Sequence, residues 1–182
     1  MAQEHRPGQD EEREHYLTHE NDPADAGYRA FLQRLAGPLV RRLPAGARGL
    51  DYGSGPGPTL SVLLQEQGFH MTLYDPFFAP EKTALQTTYD FITCTETAEH
   101  FFQPHDEFQR LHSLLRPGAY LAVMTQMVPG TSPPDLAAWR YARDPTHVCF
   151  YRLRTMEWLA HRFDWSLHLP HPNVAIFRNK PG

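Results

Sequence analysis

The heptapeptide Asp51-Tyr52-Gly53-Ser54-Gly55-Pro56-Gly57 follows a short run with strand character, 47–52, and precedes a helical pattern over 59–67. Glycine adopts positive φ at little steric cost and lets backbone amides approach a ligand closely. The N-terminus of the following helix adds a partial positive charge. A strand, a glycine-rich turn and a helix in this order predict a ligand-binding turn, with a purely structural turn as the alternative.

An acidic residue accompanies the turn. Asp75 ends the next predicted strand, 69–75, roughly 20 residues after Gly53, where a carboxylate can accept both hydroxyls of a ribose. A dinucleotide fingerprint would place its third glycine or alanine one position after Gly57, but Pro58 stands there. The spacing therefore predicts a ribose-bearing ligand and disfavours a nucleotide-dependent oxidoreductase.

Alternating strand and helix patterns surround the turn. We predict helices over 28–44, 59–67, 104–115 and 155–163, and strands over 47–52, 69–75, 89–94 and 119–124. The runs 165–169 and 174–177 are short enough to pair as an antiparallel hairpin. This order predicts an α/β fold, a Rossmann-like, doubly wound and mostly parallel sheet with a C-terminal antiparallel hairpin.

Length and charge predict one domain preceded by an acidic segment. The chain has 182 residues, 41% of them hydrophobic, and a formal net charge of −4. Eight acidic residues and two arginines lie in 1–25, which we interpret as an acidic N-terminal arm or lid before a single domain over 26–182. No basic cluster is denser than Arg41-Arg42, which argues against a nucleic-acid partner.

The composition also bears on compartment and redox chemistry. Two cysteines, Cys94 and Cys149, cannot make a disulfide framework or a four-cysteine zinc site, so we expect them to be packing residues. No apolar run reaches the roughly 18–20 residues that a membrane span needs, and the first residues lack a signal-peptide core. The sequence therefore predicts a cytoplasmic protein without a membrane span.

The ordered set of motifs resembles that of class I S-adenosylmethionine-dependent methyltransferases. Residues 51–57 match the pattern D-x-G-x-G-x-G, and Leu73-Tyr74-Asp75 resembles the acidic ribose motif. Tyr89–Cys94 resembles the strand that follows the cofactor site. Residues 114–120, Leu-Leu-Arg-Pro-Gly-Ala-Tyr, resemble the later L-L-(K/R)-P-G-G turn, with Ala119 in place of its second glycine.

The resemblance implies a set of cofactor-binding residues. The backbone at Gly53 and Gly55 would face the methionine part, Asp51 would lie near its amino group, and Asp75 would hold the ribose. Thr95 and Glu96 would line the pocket, and Gly57 completes the turn. The resemblance also implies a strand before Tyr89, here shortened to about 84–86. In the family an N-terminal segment often closes over the cofactor, which makes Tyr16, His19 and Asn21 lid candidates; a disordered arm is the alternative.

The run Glu96-Thr97-Ala98-Glu99-His100 has two interpretations. If the chain is helical after Thr95, Glu96, Glu99 and His100 share one face and could hold a divalent cation. Similar runs occur in ubiquinone-biosynthesis O-methyltransferases, where the family implies a metal near the substrate. The favoured interpretation is a structural or cofactor-lining role, with no metal.

The segment 139–151 is rich in aromatic residues and follows the strand predicted at 119–124. In a fold of this type it lies over the carboxyl edge of the sheet and builds the substrate pocket. Asp144 and His147 form a candidate catalytic acid–base pair, and three aromatic residues are candidate substrate contacts: Trp139, Tyr141 and Tyr151. Core packing of the same rings, with a buried structural His147, is the alternative.

Together these features predict methyl transfer from S-adenosylmethionine to a small molecule by direct displacement. An acceptor segment as short as 127–151 argues against tRNA or a folded protein as substrate. The sequence does not distinguish oxygen, nitrogen and carbon acceptors, and it does not indicate the oligomeric state. The alternative function is a non-catalytic S-adenosylmethionine-binding regulatory protein.

Overall fold

The computed structural model describes residues 8–17, 21–128, 130 and 138–181. The strands are β1 (Arg48–Tyr52), β2 (His70–Tyr74), β3 (Tyr89–Thr95), β4 (Leu115–Met124), β5 (Ser166–His171) and β6 (Val174–Arg178). The α-helices are α1 (Gln9–Leu17), α2 (Ala26–Val40), α3 (Thr59–Gln65), α4 (Pro104–Leu114) and α5 (Leu153–Arg162). Within the described ranges, no helix combines the length and the apolar character that crossing a membrane requires.

The six strands form one sheet in the order β2-β1-β3-β4-β6-β5. The pairs β1–β2, β1–β3 and β3–β4 are parallel. The pairs β4–β6 and β5–β6 are antiparallel. This topology confirms the predicted Rossmann-like, mostly parallel sheet with a C-terminal antiparallel hairpin. It places the carboxyl ends of β1, β2 and β3 side by side, at the edge where ligands bind in open α/β sheets.

Helices cover both faces of the sheet because their apolar residues recur at helical spacing. On one face, Leu32, Leu35 and Leu39 of α2 pack with α3 and with Phe91 of β3. On the other face, α4 and α5 pack against β3, β4 and β6, and Phe108 and Leu111 of α4 are almost fully buried there. Two apolar layers on a central sheet therefore hold the strand ends in a fixed relation.

The region before β3 differs from the sequence prediction. The shortened strand expected at 84–86 is wrong, because residues Lys82–Gln86 form a 3₁₀ helix. The Ala84 amide donates to the Glu81 carbonyl at 3.1 Å, and the Tyr89 hydroxyl donates to the Ala84 carbonyl at 2.8 Å. These backbone groups are satisfied locally, so β2 remains an edge strand. Helix α2 also ends at Val40 rather than at 44, and single turns follow it.

Asp25 begins α2, and its side chain accepts hydrogen bonds from the Gly27 and Tyr28 amides at 2.7 and 3.2 Å. We expect Asp25→Ala to lower the free energy of unfolding by about 1 kcal/mol, because those two amides lose their partner. Chemical denaturation measures the change. The neighbouring Asp22→Ala is the control, since Asp22 is exposed and its side chain accepts from the Ala24 amide, before the helix. Equal effects of both variants would contradict the capping role.

Candidate active site

A cleft of about 860 Å³ opens at the carboxyl ends of β1, β2 and β3. This volume lies within the range of about 300–1,000 Å³ that is usual for small-molecule sites. The glycine-rich turn and Asp75 line one side, and Thr95, Glu96, Glu99 and His100 follow β3 on another. Helix α1 and the segment carrying Asp144 and His147 complete the lining. The cleft thus joins the predicted cofactor half and part of the predicted acceptor half.

The glycine-rich turn approaches the cleft with positive backbone angles. Gly53 has φ +78°, and a Cβ there would lie 2.1 Å from Cγ2 of Thr97. Gly55 has φ +63°, and a Cβ there would have no atom within 4 Å, so this part of the turn borders open space. Gly57 does not line the cleft; a Cβ there would lie 2.6 Å from the Asn21 carbonyl oxygen, so Gly57 packs against the segment before α2.

Asp75 is buried at the cleft wall and is held by backbone amides. Its Oδ2 accepts from the Gly55 amide at 2.9 Å. Its Oδ1 accepts from the Phe77 and Phe78 amides at 2.8 and 3.0 Å. One carboxylate therefore ties the glycine-rich turn to the loop after β2. This connects the two segments that the sequence predicts as cofactor-binding.

Asp51 lies below the turn and does not line the cleft. Its Oδ2 accepts from Ser61 Oγ and its Oδ1 accepts from Thr93 Oγ1, both at 2.8 Å. Burial raises the pKa of this carboxyl, and the two hydroxyl donors oppose that rise. The structure therefore places Asp51 between α3 and β3, where it supports the turn from behind, and does not bring its carboxylate to the predicted amino-group position.

Four buried polar atoms at the cleft have no hydrogen-bond partner among the described residues: Ser54 Oγ, Thr95 Oγ1, Glu96 Oε1 and Glu99 Oε2. Buried polar groups in proteins are nearly always hydrogen-bonded. Because all four residues line the cleft, their atoms indicate where a polar ligand would bind. The sequence prediction included Thr95 and Glu96 but missed Ser54, whose only sequence signal was its position inside the glycine-rich turn.

Glu96, Glu99 and His100, the residues of the alternative metal interpretation, do not share a helical face. Glu96 has φ +47°, in the left-handed region, and only residues Ala98–His100 form a 3₁₀ turn. Ligand atoms of Glu99, His100 and His147 lie within 4.8 Å of one another, and Glu96 is not in this group. Burial raises the pKa of both Glu96 and Glu99, and the Glu99 charge adds to the rise at Glu96.

His147 and Asp144 both line the cleft, with His147 Nε2 3.8 Å from Asp144 Oδ2. His147 Nδ1 is hydrogen-bonded to the Tyr141 carbonyl at 2.7 Å. Asp144 Oδ1 accepts from the Thr146 amide and hydroxyl, and its Oδ2 pairs with His15 Nε2 at 3.1 Å. Burial alone would raise the pKa of Asp144, but the bonds from Thr146 and His15 lower it to about 2. Asp144 is therefore a carboxylate at neutral pH.

The aromatic residues predicted to contact substrate are not among the residues that line the cleft. Tyr141 donates its hydroxyl to Glu99, and its ring centroid lies 4.2 Å from that of His147. Trp139 packs on Tyr141, with ring centroids 5.3 Å apart. Tyr151 is buried in the core and donates its hydroxyl to the Ala98 carbonyl at 2.8 Å. Trp139 and Tyr141 are therefore partly buried rings packed on one another and on His147, whereas Tyr151 is a core residue.

Helix α1 covers one side of the cleft. Tyr16 donates to Glu12 Oε1 at 2.6 Å, and its ring meets the His100 ring edge-on at 5.2 Å between centroids. Both α1 residues line the cleft, as does Asn21, whereas the lid candidate His19 lies outside the described residues. Glu12 was missed from sequence, because a charged residue in an acidic segment carries no signal of burial.

Comparison with known proteins places these features in a family. The sequence profile described as "Methyltransferase domain" matches residues 19–169. Solved structures share the fold. One of them is 1,6-didemethyltoxoflavin-N1-methyltransferase from Burkholderia thailandensis, with bound 1,6-didemethyltoxoflavin and S-adenosylhomocysteine. Its sequence is 16% identical to this chain, and the two structures match with a TM-score of 0.61 over 92% of this chain and 87% of the other. No curated protein sequence matches the chain significantly.

Two longer proteins share the same fold. Phosphoethanolamine N-methyltransferase 2 from Haemonchus contortus, in complex with S-adenosyl-L-methionine, has 15% identity and a TM-score of 0.61, covering 93% of this chain and 56% of its own. CalO1, a methyltransferase in calicheamicin biosynthesis with S-adenosylhomocysteine bound, has 16% identity and a TM-score of 0.53, covering 87% and 59%. The chain thus spans little more than half the length of these two structures.

Proposed function

The chain belongs to the family of class I S-adenosylmethionine-dependent methyltransferases, and from this membership we propose that it methylates a small-molecule acceptor bound beside His147. S-adenosylmethionine is its cofactor. The acceptor in this proposal carries an ionisable O–H or N–H proton. A phenol is one such molecule.

The residues of the cleft fit this cofactor. The turn at Gly53 and Gly55 leaves room for close approach, and Asp75 lies where a ribose hydroxyl pair would bind. The partnerless atoms of Ser54, Thr95 and Glu96 fit the amino-acid part, which has both donors and acceptors. In the proposal, Asp51 and Gly57 act indirectly, by supporting the turn. When bound, S-adenosylmethionine supplies a methyl group activated by a cationic sulfur.

His147 is the proposed proton acceptor. Its Nδ1 faces the Tyr141 carbonyl, so in the neutral ring Nδ1 carries the proton and Nε2 accepts one. The Asp144 carboxylate, 3.8 Å from Nε2, stabilises the imidazolium that forms when the acceptor loses its proton. General-base catalysis of this kind contributes about 10²–10⁴-fold, and the cleft adds in-line positioning of the reactants.

Helix α1 is the proposed lid. Tyr16 and Glu12 line the cleft, and His15 pairs with Asp144 at 3.1 Å, which connects the arm to the acceptor segment. A lid in this position excludes water from the reacting groups. It would also order Asp144, because His15 and Thr146 then occupy both of its oxygens.

The observation that carries the proposal is that Gly55, Asp75, Glu96 and His147 line one continuous cleft. Calorimetry tests the cofactor half: we expect S-adenosylhomocysteine to bind and NAD not to bind. Transfer of tritiated methyl groups from S-adenosylmethionine to panels of phenols and amines tests the acceptor half. Binding of NAD alone would contradict the whole proposal. Cofactor binding without transfer to any member of either panel would favour the regulatory alternative.

A further inference from the structure

We propose that Glu99, His100 and His147, which all line the cleft, form a binding site for one divalent transition-metal ion. Each residue offers one ligand atom, and these atoms lie within 4.8 Å of one another. Donors bound to one ion at about 2.0–2.2 Å in tetrahedral geometry lie about 3.3–3.6 Å apart, so the three must draw closer together on binding. His100 is the least buried of the three residues.

Both histidines are oriented as metal ligands usually are. Nδ1 of His100 is hydrogen-bonded to the Thr146 carbonyl at 3.0 Å, and Nδ1 of His147 to the Tyr141 carbonyl at 2.7 Å. A carbonyl oxygen can only accept, so the proton of each neutral ring is on Nδ1 and the lone pair is on Nε2. Metal-ligating histidines typically donate their second ring nitrogen to a carbonyl or carboxylate, which fixes the tautomer and the ring plane.

Glu99 supplies an independent observation. Its side chain is fully buried, its Oε1 accepts from the Tyr141 hydroxyl, and its Oε2 has no hydrogen-bond partner in the described part of the chain. A buried carboxylate oxygen without a partner is costly, and a bound cation would satisfy it. The Glu99 carbonyl also accepts from the Val148 and Cys149 amides at 2.9 Å, which fixes the segment carrying His147 beside it.

The donor set indicates which ion would bind. Two imidazole nitrogens and one carboxylate oxygen suit zinc, cobalt, nickel or iron, whereas magnesium and calcium prefer oxygen ligands alone. Glu96 is outside this group, although the spacing of the sequence placed it with Glu99 and His100. His147 supplies the third ligand instead, from a segment that the sequence does not link to the other two.

Occupancy has a consequence for catalysis that rests on the proposed function. Nε2 of His147 has one lone pair, so it can accept a proton or coordinate a metal ion but cannot do both. We therefore expect the metal-free protein to be the active form and metal binding to inhibit methyl transfer. Inhibition should follow occupancy of the site, while S-adenosylhomocysteine still binds.

The test is titration of the chelator-treated full chain with Co²⁺, followed by its visible absorption and, in parallel, by turnover. We expect one strongly bound ion with visible bands. Loss of an outer-shell partner of a metal ligand typically lowers metal affinity by about 10–100-fold. In Glu99→Gln and His100→Ala, which each lose a direct ligand, we expect the Co²⁺ affinity to fall by more than this. Glu99→Gln is nearly isosteric and can still accept from Tyr141, so it should fold. His161→Ala, which removes an exposed histidine of α5, is the matched control and should bind as wild type.

Several results would overturn the proposal. These are equal Co²⁺ affinity in wild type, Glu99→Gln and His100→Ala, the absence of visible bands, or a response to Mg²⁺ alone. Full turnover with the site occupied would overturn the competition with His147. The proposed function fails separately, because its test is turnover and S-adenosylhomocysteine binding in the metal-free protein.

Discussion

His147→Ala is expected to lower methyl transfer by about 10²–10⁴-fold while leaving the affinity for S-adenosylhomocysteine unchanged. The reason is geometric: His147 Nε2 is held toward Asp144 and the cleft by the bond from Nδ1 to the Tyr141 carbonyl. The proposed cofactor half of the cleft is lined by other residues, among them Gly55, Asp75 and Thr95. Steady-state kinetics on metal-free protein gives the first quantity, and calorimetry gives the second.

A second variant separates catalysis from folding, because His147 is buried and its ring packs against Tyr141. His147→Asn can place an amide N–H near the position of Nδ1 and keep the bond to the Tyr141 carbonyl, but it lacks Nε2. We expect this variant to unfold at nearly the wild-type temperature and to be as inactive as the alanine variant. If either variant lost cofactor affinity together with turnover, His147 would have a structural role. Activity within a few-fold of wild type in His147→Asn would exclude it as the base.

Gly53→Ala is expected to lower the free energy of unfolding by roughly 2–5 kcal/mol. A non-glycine residue at φ +78° costs about 1–2 kcal/mol. The added Cβ would also lie 2.1 Å from Thr97 Cγ2 and 2.4 Å from Thr97 Oγ1, and overpacking of this kind costs about 1–3 kcal/mol. Denaturant unfolding measures the loss. The double variant with Thr97→Ala should recover part of it, because both of those contact atoms are removed.

Gly55→Ala is the matched control for the same turn. It has a similar positive φ, +63°, but its Cβ would meet no atom within 4 Å. We therefore expect a loss of only about 1–2 kcal/mol, together with weaker binding of S-adenosylhomocysteine, because the methyl group would project into the space that the cofactor needs. Equal stability losses at the two glycines would contradict the contact with Thr97. Unchanged cofactor affinity in Gly55→Ala would remove this turn from the binding site.

The fold was predictable from sequence because its signals are local. The apolar spacing of Leu32, Leu35 and Leu39 marks a helix face, and the run Tyr89–Cys94 marks a buried strand. Both signals act over a few residues and agree with the final topology. The prediction failed at 84–86, where no local pattern distinguishes a short edge strand from a 3₁₀ turn. In the structure the segment is a 3₁₀ helix, and the Tyr89 hydroxyl donates to its Ala84 carbonyl.

The proposed cofactor side of the site could be partly predicted from sequence, because its signals are also local. The glycine-rich turn and Asp75 follow from the spacing of a strand, a turn and the next strand, and both line the cleft. The position of the Asp51 carboxylate could not be predicted from the sequence. Successive side chains of a strand point to opposite faces, and Ser61 of α3 and Thr93 of β3 bind this one below the turn. Those partners come from different elements, so the local sequence around residue 51 does not indicate them.

By itself, the sequence determined the element order, the mostly parallel sheet, the glycine-rich turn after β1 and the family, because each depends on residues close together along the chain. Only the tertiary structure decided that His147 meets Glu99 and His100, that Tyr141 stands behind His147, and that α1 covers the cleft with Glu12 and Tyr16. These contacts join segments far apart in sequence. They form only when the sheet brings its strand ends to one edge and the backbone bonds of Glu99 hold the acceptor segment against them.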